Sequence, residues 1–255
     1  MNNRQFFYFK SDISKVSIPK KLNNPFSIGV PKIAKIAAEE FQAFIPTVSD
    51  KWDYDFRTRN GKMFGILVVQ RKDSTIGYLG TNSGRLSRAV ACDRFVPSIF
   101  DDATDDYFIN RGMTAITVIG EQIKNASNEI EIRLLKEQRR LKSLEVQKQL
   151  FESYSFLNLH GVEKNLLQIF EDSSHGKPPS ATGECAAPKL LQYAFHHNLK
   201  PIAIAEFWWG NPINGNDKVH KDYHPACKDR CRPILEYMLD DQGLYEAGQA
   251  GEPSE

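Results

Sequence analysis

Apolar positions along the chain fall into two periods, and the period changes mark the elements. Ile33, Ile36, Ala37, Phe41, Phe44 and Ile45 recur at helical spacing. Pro31 suits the first turn of that helix and Pro46 its end. The run Met63-Phe64-Gly65-Ile66-Leu67-Val68-Val69 reads as a strand, Lys72-Asp73-Ser74 as a turn, and Thr75 to Gly80 as a second strand. Together they predict an antiparallel hairpin. Between helix and hairpin, Trp52 to Phe56 alternates aromatic and charged residues and predicts a short edge strand. The polar start of the chain, residues 1–24, carries scattered aromatics and reads as an extended arm.

From about Ile119 to Leu157 no Gly or Pro follows Gly120. Ile123, Ile130, Leu134, Leu141, Leu144 and Phe151 fall at steps of 7, 4, 7, 3 and 7 residues. That pattern predicts a long amphipathic helix or a helical hairpin arm, coiled-coil-like, with Glu137 and Lys148 interrupting its seam. A Ser/Gly/Pro-rich break covers Asp172 to Gly183. Glu184 to His197 then reads as a helix, Pro201 to Trp208 as a strand, and Pro225 to about Leu239 as a further helix. The expected fold is α/β: a core from residues 25–118 and 172–242, a helical insertion at 119–171, and a small polar tail at 243–255 expected to be disordered.

Lys plus Arg is 33 against 32 Asp plus Glu, a net charge of +1. A nucleic-acid partner must therefore be met by a local basic patch rather than a global field. Arg133, Lys136, Arg139, Arg140 and Lys142 supply such a patch on the long helix, which reads either as a solvated face or as a phosphate-contacting one. No stretch is apolar for the ~18–20 residues of a membrane span, and the start lacks the apolar core of a secretory signal. A cytoplasmic location is expected. The loop Gly80-Thr81-Asn82-Ser83-Gly84 lacks the Lys-Ser/Thr of a phosphate-binding loop and reads as a turn.

Of the four cysteines, Cys185, Cys227 and Cys231 fall in the last third of the chain. Cys185 is expected at the first turn of one helix, Cys227 at the first turn of the next, and Cys231 one turn further on the same face. Helix N-termini favour thiolates. The layout converges three thiolates, which with one more ligand make a tetrahedral Zn2+ site. His220 and His224 are the nearby fourth ligands, His220 preferred. The bland alternative is three unrelated buried cysteines.

The order helix, hairpin, insert, helix with Cys185, strand, helix with Pro225-Ala226-Cys227 resembles the zinc nucleobase and nucleotide deaminase fold, a three-layer core. In that pattern His/Cys-x-Glu opens one helix and Pro-Cys-x-x-Cys the next. The resemblance implies Cys185 as first ligand, Cys227 and Cys231 as second and third, and a zinc-bound water attacking a ring carbon. The sequence departs in two places. The position of the proton-shuttling Glu is Ala187, and the final cysteines are spaced by three residues. Glu184, beside Cys185, and Glu206, on the strand, are the carboxylates that stand nearest as replacements, with Glu184 the catalytic candidate.

A longer resemblance covers about Pro25 to Leu239. Pro178-Pro179-Ser180-Ala181-Thr182-Gly183-Glu184-Cys185-Ala186-Ala187-Pro188-Lys189-Leu190-Leu191-Gln192-Tyr193-Ala194, Ala205-Glu206-Phe207-Trp208-Trp209-Gly210 and Pro225-Ala226-Cys227 resemble the N-terminal region of long bacterial RluA-type RNA pseudouridine synthases. The catalytic His-Arg-Leu-Asp of the synthase domain is absent; the nearest string is Gly84-Arg85-Leu86-Ser87. The resemblance implies an accessory RNA-recognition module binding rRNA or tRNA. On that reading Trp208 and Trp209 stack on bases, while Lys189 and the basic helix residues Arg133, Lys136 and Arg140 meet phosphates. Two other functions compete: a zinc-dependent deaminase-like hydrolase, and a zinc-stapled module whose helical arm binds a protein partner.

Overall fold

The computed structural model describes residues 4–239 except 51, 53, 55, 57–59, 85, 87–91, 100–101, 175 and 213–217. In chain order the elements are β1 (Phe7–Tyr8), α1 (Lys32–Ser49), β2 (Lys62–Gln70), β3 (Ile76–Asn82), α2 (Asp102–Asn125) and α3 (Glu129–Ser153). They continue with β4 (Ser155–Leu157), β5 (Glu163–Asn165), α4 (Leu166–Glu171), α5 (Ala186–His196), β6 (Lys200–Trp209), β7 (Tyr223–His224) and α6 (Arg232–Leu239).

The hairpin β2–β3 forms because two β-rich runs flank a tight turn, and its register pairs Leu67 with Leu79. The apolar run of β6 pairs antiparallel with the other edge of β2, and Ile66 faces Ala205. The main sheet has the order β1-β3-β2-β6-β7. The hairpin and β6 therefore share one sheet, as the sequence predicts. Its register slips between Val68 and Val69, where the partner sequence is Pro201 to Ala203. Proline has no N–H to give a ladder, so a bulge is a natural place for it.

Strand alternation divides the side chains between two layers. On one face Phe64, Ile66, Val68, Ala205 and Phe207 pack against Ile33, Ala37 and Phe41 of α1. On the other Leu67, Val69, Leu79 and Ile204 pack against Leu190 and Leu191 of α5 and Ile234 and Leu235 of α6. The architecture is thus mixed α/β, helix–sheet–helix. Glu206 and Trp208 share the period of Ile204, which directs them to the α5–α6 face.

The structure corrects several expectations. The described part of the N-terminal arm is docked. Phe6, Phe7 and Leu22 are buried, β1 pairs with β3, and the Asn23 side chain exchanges both hydrogen bonds with the Ile204 backbone. Its aromatics have too much apolar surface to leave in water. Helix α1 runs through Pro46 to Ser49, since a proline this near the helix end costs only the local hydrogen bond it cannot donate. No strand forms among the described residues of 52–56.

The long helix is two helices. Asn128 breaks it and caps α3, accepting the Glu131 N–H at 2.8 Å. The preceding helix begins at Asp102, within a stretch whose period gave no helix. The two meet at Gly112, where an added Cβ would run into Val146. Ile119 and Val146 are buried in this seam. Ile130, Leu134, Leu141 and Leu144, expected as the seam, are instead 48–67% exposed. The segment after α3 also belongs to the core, because Phe156, Leu166, Ile169 and Phe170 pack beneath α5 and α6. The arm proper is α2 with most of α3, not residues 119–171. The 243–255 tail lies outside the described residues. No helix among the described residues is long and apolar enough to cross a membrane.

Candidate metal centre

Cys185 is the N-cap of α5, with extended backbone at φ −73° and ψ 154°. Cys231 immediately precedes α6, its carbonyl accepting the Leu235 N–H at 2.8 Å. Cys227 lies in the turn leading into α6, not on a helix. The expected helix from Pro225 begins only at Arg232. The three-residue spacing therefore spans a turn rather than one face of a helix. Pairing of β7 with β6 and the Ala226 N–H bond to the Pro25 carbonyl at 2.9 Å hold this turn against the start of α5.

The result is a cluster. The three sulfurs lie within 4.8 Å of one another, and those of Cys227 and Cys231 are 3.2 Å apart. Tetrahedral zinc with bonds of about 2.3 Å separates its sulfurs by about 3.8 Å, so the donor set fits such an ion with small adjustments. All three cysteines are free of disulfides. The thiols of Cys185 and Cys231, with the Arg230 and Cys231 N–H groups, hold the Cys227 thiol below its ordinary range. Contact with Cys227 pushes the Cys185 thiol up, and contact with Cys185 does the same to Cys231. Three free sulfurs this close together form a donor set for a soft or borderline cation.

A cavity of about 540 Å³ opens onto the cluster. Glu206 lines it and is buried at 8% exposure. One carboxylate oxygen accepts the Ala187 N–H at 3.1 Å, one of the N–H groups that a helix start leaves unpaired. Burial pushes its pKa up to about 7, against that hydrogen bond, and the nearby Cys227 charge adds to the rise. Glu184 also lines the cavity, but its carboxylate is 3.5 Å from the buried Lys189 ammonium. The loop before it needs Gly183 at φ +112°, where a side chain would also crowd Tyr154.

Neither histidine joins the sulfur group. His220 Nδ1 accepts the Gly210 N–H at 2.9 Å, and its ring lies 4.4 Å from that of Trp209. These contacts tie it to the end of β6, so the expected fourth ligand is not assembled. His224 sits opposite Glu206 in the β6–β7 ladder. Its Nε2 is buried and has no hydrogen-bond partner among the described residues.

The residues expected to touch RNA separate into two groups. Arg133 and Lys136 are exposed on α3, whereas Arg140 is held by two hydrogen bonds to Glu137, at 2.8 and 2.6 Å. Lys189 is 3% exposed and faces Glu184, so it meets no phosphate at the surface. Trp208 is buried; its Nε1 bonds the Asn211 carbonyl at 3.0 Å, and the Lys218 ammonium lies 4.8 Å from the ring centroid. It is a wall of the cavity rather than an open stacking platform. Trp209 is half-buried against His220.

Three cavity residues escape sequence reasoning: Lys62, Lys218 and Arg230. They come from three separate segments, and only the fold brings them together. Comparison with family models, with curated proteins and with solved structures finds no match.

Proposed function

We propose that the protein is a zinc-dependent hydrolase of the deaminase type, acting on the ring of a nucleobase or nucleotide. The single observation that carries this reading is the position of Glu206. The acid that the deaminase pattern places two residues after the first ligand is replaced by Ala187, yet a carboxylate stands at Ala187 all the same. It arrives from β6 and is fixed by the Ala187 N–H. The sheet order supports a deaminase-like core: a hairpin, then β6 beside its first strand, with α1 on one face and the cysteine-bearing α5 and α6 on the other.

A zinc ion on the three thiolates supplies Lewis acidity for hydrolysis. Glu206 supplies the proton transfers. In the metal-free protein burial holds this carboxyl above the ordinary carboxylate range, and a carboxyl placed at the cluster suits a group that must take a proton from water and give it to a ring nitrogen and a departing amine. The hydrogen bond from Ala187 leaves its other oxygen for this work. The free thiols accord with a reducing, cytoplasmic setting.

The test is ammonia release from cytosine, adenine and guanine compounds, as bases, nucleosides and nucleotides, by zinc-loaded protein. Turnover with at least one is expected, and Glu206→Gln should lower it about 100-fold or more while zinc is retained. Absence of turnover across the panel, or an active Glu206→Gln, overturns the reading.

A second reading, an RNA-recognition module of an RNA-modification protein, is favoured by the exposed Arg133, Lys136 and Arg139 on α3. The three strings that resemble the RluA-type proteins also meet in space, since each contributes a wall of the cavity: Cys185, Glu206 and Cys227. A protein partner on the arm is the third, supported by the outward stripe of Ile130, Leu134, Leu141 and Leu144.

A further inference from the structure

The cavity over the sulfurs is lined by more positive charge than its own carboxylates balance. Lys62 enters from β2, Lys218 from the loop before β7, and Arg230 from the turn between the last two cysteines. No ion pair is made by any of the three among the described residues. The ammonium of Lys62 lies 4.8 Å from the Tyr54 ring centroid, and that of Lys218 the same distance from Trp208. Of the two carboxylates on the wall, Glu184 is already paired with Lys189, and Glu206, held by the Ala187 N–H, faces the charge of Lys218 alone among the three. Zinc on three thiolates carries a formal charge of about −1, which does not offset three cations.

We propose that this wall is an anion subsite, and that the cavity takes a phosphate-bearing nucleotide unit rather than a free base or nucleoside. The inference rests on the hydrolase reading for the ring end of the ligand, but the phosphate end stands on the three cations alone. A volume of about 540 Å³ is within the range of small-molecule sites and holds a base, a sugar and a phosphate. Three cations suit a phosphate dianion, or a phosphodiester with its neighbour, better than a single carboxylate. Arginine and lysine divide the task in the usual way: Arg230 presents a planar fork and the lysines point charges. Lys62 is further held below the ordinary lysine range by burial and by the charge of Lys189. A bound phosphate relieves both.

Calorimetric titration of zinc-loaded protein tests this. The probes are cytidine and adenosine, their 5′-monophosphates, and a single-stranded RNA hexamer. The monophosphates or the hexamer should bind at least about tenfold more tightly than the nucleosides. Preference for monophosphates identifies a free nucleotide as the source of the phosphate; preference for the hexamer identifies a strand. Lys62→Gln should remove most of that preference and leave nucleoside affinity unchanged, whereas Lys62→Arg should keep it. Arg230→Gln, with its zinc content checked, provides a second variant. Equal affinity for nucleosides and phosphorylated probes overturns the proposal, as does no binding of any phosphorylated probe at ~1 mM or an unaltered preference in both Gln variants. Failure of ammonia release with the phosphate preference intact sinks the hydrolase reading and leaves the anion subsite standing. Turnover without the preference does the reverse.

Discussion

The Glu206 carboxylate on β6 accepts the Ala187 backbone N–H at 3.1 Å, joining the sheet to the first turn of the helix that Cys185 caps. A helix start attracts negative charge, but the buried setting opposes it, and burial prevails: the pKa rises to about 7. The sign of the linkage follows. A carboxyl whose folded pKa lies above its ordinary 4.5 adds stability while protonated, and loses that contribution as pH climbs from about 4.5 through about 7.

In metal-free protein the stability of wild type should therefore fall over that window, and that of Glu206→Gln should fall less. The difference is bounded by about 3 kcal/mol for a shift of this size. Urea unfolding in EDTA at pH 5 and pH 7.5 measures it. Parallel pH profiles for the two proteins would show that burial of this carboxyl carries no such cost.

The sulfur cluster makes a separate prediction. Purified protein should hold about one zinc per chain, and Cys227→Ser or Cys185→Ser should reduce that below about half. Zinc retention should weaken as pH falls, because ligand thiols must lose their protons. Removal of zinc should lower the melting temperature, since an ion on the three sulfurs would tie the turn at 227–231 to the start of α5. Metal analysis and thermal melts decide it, and a Cys227→Ser variant with full zinc content would refute three-sulfur binding.

Two glycines test the packing. Gly80 in β3 lies against Phe41, and a methyl there would overlap its ring. Gly80→Ala should destabilise by about 2–3 kcal/mol, the cost of overpacking. Gly120 in α2 has open space around it, so Gly120→Ala should stabilise by up to about 1 kcal/mol through helix propensity. Denaturant midpoints of the two variants should move in opposite directions.

What the sequence revealed follows from where one periodicity dominated. The hairpin of residues 63–80 and the strand at 201–208 were legible because buried strands are near-continuous apolar runs with turn residues between them. The three cysteines were legible as a set because the helix–strand–helix order placed them at one end of the sheet. The arm was misread because two apolar stripes run along α3. One is interrupted only by Glu137 and Lys148 and is exposed from Ile130 to Leu144, reaching the core only at Phe151; the other, through Ile132 and Val146, contains Lys142 and meets α2. Spacing cannot say which stripe finds a partner. Lys62, Lys218 and Arg230 carried no signal at all, since their meeting depends on the pairing of β6 with β2 and β7.

The last prediction concerns RNA and the α3 surface. Neutralising a phosphate of a single strand contributes about −0.7 to the slope of log affinity against log salt. Arg133, Lys136 and Arg140 share a face of α3 and on sequence grounds give a slope near −2. In the structure Glu137 occupies Arg140 through two hydrogen bonds, and the contact favours the charged form of each partner. A phosphate must compete with that carboxylate, so of these three residues only Arg133 and Lys136 are free to contribute, and their share of the slope should be near −1.4. Glu137→Gln releases Arg140 and should steepen it toward −2, with tighter binding at low salt. Arg133→Gln with Lys136→Gln should flatten it by about 1.4 for every RNA sequence tested. Filter binding of a single-stranded oligonucleotide from ~50 to ~200 mM salt measures all three. A Glu137→Gln variant with the wild-type slope, or a double variant that binds like wild type, removes α3 from RNA recognition. The exposed stripe of Ile130, Leu134, Leu141 and Leu144 then becomes the arm's functional face, directed at a protein.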